Sequence, residues 1–91
     1  DTHTVQSNKE SGDGRYDVML IPKNTQQLGL IMEFKVAEEG DTLDAAAEQA
    51  LKQISDCSYE TELRQRNIQK ILKIGLAFKG KEVAMRSIDS E

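Results

Sequence analysis

Residues 28–36 (LGLIMEFKV) constrain this chain more than any other stretch. Leu30, Met32, Phe34 and Val36 alternate with Ile31, Glu33 and Lys35, the two-residue period of a strand with two unlike faces. That period predicts a strand whose wholly apolar set meets the core, while an acid and a base share the other face. Residues 16–22 (YDVMLIP) predict a second strand, and the short segment 24–27 between them suits a hairpin. If the hairpin folds symmetrically near Gln26, Asp17 opposes Lys35 and Met19 opposes Glu33. A shift of one residue in each strand sets Asp17 against Glu33 instead. Directly opposed residues lie about 4.5–5.5 Å apart on one face, so either register gathers Asp17, Glu33 and Lys35. Such a charged cluster is costly to bury and unnecessary for folding.

The 91 residues make one domain, near the size at which a single core is only modestly stabilising. The chain opens Asp-Thr-His-Thr, which reads as the interior of a longer polypeptide, so a C-terminal fragment is expected. No apolar run approaches membrane length and no signal-peptide pattern is present. A single cysteine, Cys57, suits a reducing, cytoplasmic setting. With His3 the only histidine, the chain lacks the parts of a Ser/His or Cys/His nucleophile system and the spacing of a zinc site. The net charge of −4 argues against strong non-specific nucleic-acid binding. It leaves room for a hydrolase that meets nucleic acid through a local patch or through metal ions. Two Tyr and two Phe are too few for a base-stacking platform.

In chain order, residues 2–7 predict a short first strand, and residues 8–14, with Gly12 and Gly14, a polar turn. After the hairpin, Asp41 or Thr42 is placed to cap a helix. Leu43, Ala47, Ala50, Leu51 and Ile54 recur at helical spacing over 42–55, a narrow alanine-rich stripe suited to close packing on a sheet. Residues 59–67 read as a second, charged helix, 68–78 as a buried strand, and 82–88 as an edge strand after the turn at 79–81. The order is β-ββ-α-(α)-β-β. It predicts an α/β (or α+β) domain with a mixed β-sheet and a long helix on its apolar face. The cationic group Arg64, Arg66, Lys70 and Lys73 reads as a solvated face, and Arg15 as an ionic partner of Glu10 or Asp17.

Asp17 and Glu33 offer hard oxygen ligands on adjacent strands, which suit Mg²⁺ or Mn²⁺. The Phe34 carbonyl, between Glu33 and Lys35, is a further candidate ligand. Such a metal would offset the repulsion of the carboxylates, activate water and polarise a phosphoryl oxygen. Lys35 would orient that water or neutralise charge building on phosphate. These are the parts for metal-assisted phosphodiester hydrolysis.

Asp17, followed on the next strand by Glu33-Phe34-Lys35 and then a helix, resembles the PD-(D/E)xK nuclease superfamily, with Tyr16 standing where the signature has proline. The segments 10–17 (ESGDGRYD), 31–36 (IMEFKV), 50–54 (ALKQI) through Tyr59, and 75–78 (GLAF) are similar to a bacterial PD-(D/E)xK domain found behind an AAA-ATPase-like domain. The likeness covers nearly the whole chain. It implies a restriction-endonuclease-like fold, with Asp17 and Glu33 as metal ligands, Glu10 as the additional acid and Lys35 as the catalytic lysine. Gln53 would supply a downstream catalytic glutamine, with Tyr59 following at a wider spacing than the family pattern. It also implies nucleic acid, DNA in particular, as partner, and an N-terminal ATPase-like domain in the full-length protein. Two readings follow. One is a Mg²⁺- or Mn²⁺-dependent nuclease. The other is a catalytically silent interaction domain that keeps the nuclease fold and serves the ATPase-like module. The edge strand at 82–88 further invites homo-oligomer pairing.

Overall fold

A computed structural model of the chain describes residues 2–9, 16–56 and 59–90, with the side chains of 8, 9, 16, 17 and 90 excepted. Five strands form one mixed sheet: β1 (His3–Lys9), β2 (Tyr16–Pro22), β3 (Gly29–Val36), β4 (Ile71–Lys79) and β5 (Glu82–Ser90). They lie side by side in chain order. Two helices, α1 (Leu43–Asp56) and α2 (Glu60–Gln65), intervene between β3 and β4. All neighbouring strands are antiparallel except β3 and β4, which run parallel across the helical connection.

Local chemistry sets the boundaries. In the β2–β3 loop, the Asn24 side chain accepts the Gln26 amide at 2.9 Å and the Asn24 carbonyl accepts the Gln27 amide at 2.9 Å, an Asx turn that reverses the chain. The resulting register pairs Asp17 with Glu33. Of the two registers open to the sequence, the one centred on Gln26 is therefore not the one adopted. Thr42 Oγ1 accepts the Ala45 amide at 3.1 Å and caps α1. α2 ends where Asn67 adopts φ 66°. There the Asn67 amide donates to the Arg64 carbonyl and the Ile68 amide to the Leu63 carbonyl, the paired bonds of a Schellman motif. Ile68 is thus committed to the helix stop, which is why β4 begins at Ile71 rather than at residue 68.

The helices cover the opposite face from the one its apolar set suggests. Along β3 it is Gly29, Ile31 and Glu33 that are buried, while Leu30, Met32 and Phe34 stay half-exposed and Val36 is exposed. The reason lies on β4. A Cβ built on Gly75 would come within 2.4 Å of the Ala47 carbonyl oxygen and 2.6 Å of the Leu51 nitrogen, so the α1 backbone rests directly on that glycine. Gly29, Gly75 and Ala77 all lie in the Ile31 set of positions. A helix presenting Ala46, Ala47 and Ala50 can settle there, whereas Leu, Met and Phe would hold it away.

The covered core has two parts. Met19, Ile21, Ile31, Ile54, Leu63, Ile68 and Ile71 form one cluster, with Leu51 and Tyr59 packed against it. Ala37, Ala46, Ala47 and Ala77 form the other. The expectation of a solvated cation group holds for Arg66 and Lys70, which are exposed, and is corrected for Lys73, which is 7% exposed. Its ammonium donates to Glu60 Oε1 at 2.7 Å, and Arg64 joins the same carboxylate at 3.4 Å. This network fastens α2 to β4, because a lysine in this row of β4 faces the helices and must find a carboxylate there.

Candidate active site

β3 is the central strand, and its helix-facing row runs Ile31, Glu33, Lys35 and on to Ala37. Ile31 belongs to the larger cluster and Ala37 to the alanine cluster, so Glu33 and Lys35 fill the gap between them. α1 runs back along this row. Ala46 and Ala47 share a cluster with Ala37, Gln49 meets Lys35, and Ile54 shares a cluster with Ile31.

Glu33 is 0% exposed, and both of its carboxylate oxygens are buried. A carboxylate in that position gives up its hydration, which is costly unless cations or donors compensate. Two residues along, the Lys35 ammonium donates to Gln49 Oε1. Beside these groups opens a cleft of about 240 Å³, walled by Glu33 and Lys35 from β3 and by Gln49, Ala50, Lys52, Gln53 and Asp56 from α1. At its rim Lys52 and Asp56 pair at 3.4 Å, both well exposed.

Of the residues expected at the site, Glu33, Lys35 and Gln53 therefore share one cleft. Asp17 stands at the register position opposite Glu33, with Asn8 beyond it. Glu10, like Arg15 and Cys57, lies outside the described residues. Tyr59 is not among the cleft residues and packs instead against the larger apolar cluster. Among the described residues no group of three or more His, Cys, Asp or Glu side chains forms a metal-ligand set. The described carboxylates of the cleft are those of Glu33 and Asp56. Mg²⁺ is commonly held by one or two carboxylates with water completing its shell, so the donor chemistry of the cleft suits a hard divalent ion.

Gln49, Lys52 and Asp56 were not expected at the cleft. Gln49, Gln53 and Asp56 recur at helical spacing along the edge of the alanine stripe, so the period that marks the buried face also places them together.

Fold and cleft define a class: a small mixed-sheet α+β domain with a buried acid and a lysine two residues apart on the central strand, beneath a helix. The chain belongs to the PD-(D/E)XK nuclease superfamily, whose family model matches residues 1–87. No curated protein and no solved structure matches it. Membership gives a nuclease-like function as the reading for this chain, nucleic acid as its class of partner, and the divalent metals that such nucleases generally use as its class of cofactor.

Proposed function

We propose that this domain is a Mg²⁺- or Mn²⁺-dependent nuclease that hydrolyses phosphodiester bonds in DNA, acting in the cytoplasm. Asp17 and Glu33 would hold the ion, with Glu10 as the supporting acid. When bound, a divalent cation supplies Lewis acidity, favouring ionisation of water and drawing charge from a phosphoryl oxygen. Lys35 contributes a fixed positive charge beside the reacting phosphate, where negative charge grows in the transition state. Gln53 lines the same cleft and orients substrate or water. The observation that carries this reading is the burial of the Glu33 carboxylate in the cleft that Lys35 also lines.

A second reading keeps the superfamily fold and drops the chemistry: an interaction domain serving an ATPase-like module. The sheet face away from the helices favours it, with Val36 63%, Val83 56% and Met85 56% exposed.

Mn²⁺ calorimetry combined with a plasmid-nicking assay separates the two. The nuclease reading expects metal uptake and nicking by the parent chain, loss of both in Asp17→Ala, and loss of nicking with metal uptake retained in Lys35→Ala. A folded parent that takes up no metal and cuts nothing leaves the interaction domain. Nicking that survives both substitutions overturns this assignment of the site.

A further inference from the structure

We infer that Gln49 is a positioning residue: it holds the Lys35 ammonium in place over the cleft. This rests on the nuclease reading above and extends it to a residue that reading does not use. An ammonium has donors only, so it is the carboxamide oxygen of Gln49 that faces Lys35 Nζ, as observed. Lys35 lies near the end of β3, half-buried, next to the exposed Val36, and a lysine's four-carbon stem leaves its charge free to wander. Gln49 comes from a firmly seated element. Its neighbours Ala46, Ala47 and Ala50 are buried, and the α1 backbone rests on Gly75. The acceptor thus projects, exposed, from a backbone fixed on the wall of the cleft.

The neutrality of that acceptor matters. A carboxylate at position 49 would also orient Lys35, but it would repel a polyanionic substrate. A carboxamide orients the ammonium without that repulsion. The other cation of the cleft, Lys52, is well exposed and pairs with Asp56 at 3.4 Å. A purely architectural tie between α1 and β3 predicts something different: lost stability, with catalysis per folded molecule unchanged.

The test is single-turnover nicking of supercoiled plasmid with Mn²⁺, comparing the parent chain with Gln49→Leu and Gln49→Glu. Leu keeps the size and removes the acceptor. The maximal rate should fall about tenfold, the worth of one hydrogen bond to a charged group. The half-saturating DNA concentration should stay within about twofold. Glu keeps the acceptor and should hold the maximal rate within about twofold. It should weaken half-saturation through the added negative charge. If the parent cuts and Gln49→Leu cuts equally fast, or if Leu and Glu lose rate alike, the positioning role is overturned and the nuclease reading stands. If the parent itself does not cut, the nuclease reading fails and the role of Gln49 falls with it.

Discussion

Glu33 and Gly75 are register partners on the parallel strands β3 and β4, one carrying a buried carboxylate and the other no side chain at all. The space that Gly75 leaves is filled by the α1 backbone, and that seating brings Gln49 and Gln53 beside Lys35 and Glu33. Gly75→Ala should therefore do more than a usual overpacking change. The clash is with helix backbone, which cannot rotate away as a side-chain tip would. A loss of about 3 kcal/mol is expected, the upper end of the usual range, read as a lower urea midpoint with an unchanged slope.

Metal should act as a folding ligand. An ion that binds the native chain alone stabilises it by about 2.7 kcal/mol at a hundredfold excess over Kd. Thermal melts of the parent should therefore move upward with Mn²⁺. Glu33→Gln keeps the shape of the side chain and removes the charge that would bind the ion. Its melting temperature should not respond to Mn²⁺. A Glu33→Gln chain that Mn²⁺ still stabilises would place the metal elsewhere.

Lys73 makes a contrasting case of a buried charge outside the cleft. Removing one member of a buried ion pair strands the other, but Glu60 keeps Arg64 and is about a third exposed, with 30% side-chain accessibility. Lys73→Met should cost about 1–2 kcal/mol in chemical denaturation. Nicking per folded molecule should be unaffected, since the network joins α2 to β4 and does not line the cleft.

The contrast between Glu33 and Lys73 also shows what the sequence could convey. The two-residue period of residues 28–36 announces a strand and puts Glu33 and Lys35 in one set, and that set does meet in one cleft with Gln53. Periodicity separates two faces without saying which is covered. Two charges made the Ile31 set look like the solvent side. The deciding features, Gly75 and Ala77, lie on another strand and matter only once β3 and β4 pair in parallel. Lys73 belongs to the same covered row, and its burial was hidden for the same reason. The hairpin register likewise turned on one side chain, Asn24, closing the turn a residue earlier than symmetry about Gln26. The Lys35–Gln49 contact was beyond reach of the sequence, because it depends on how far α1 rotates over the sheet.

The uncovered face of the sheet leads to the last prediction. Leu30, Met32 and Phe34 of β3 continue into Leu72, Ile74, Leu76 and Phe78 of β4, all half-buried, and into the exposed Val83 and Met85 of β5. Phe34 and Phe78 meet edge to face at 6.0 Å between ring centroids, so packing within the sheet supplies part of their burial. Among the described residues no helix lies over this side. A contiguous apolar surface of this kind is uncommon on a chain that acts alone. The folded chain should therefore enhance the fluorescence of a hydrophobic dye such as ANS at pH 7, without any loosening of structure. Met85→Lys puts a charge on the patch at a position already more than half in water, 56% exposed. It should cut the dye signal substantially and change stability by no more than about 0.5 kcal/mol. Met32→Lys, at the centre of the same face and flanked by strands on both sides, should cut the signal further and cost about 2 kcal/mol. A folded parent that leaves the dye dark would mean that this side is already covered.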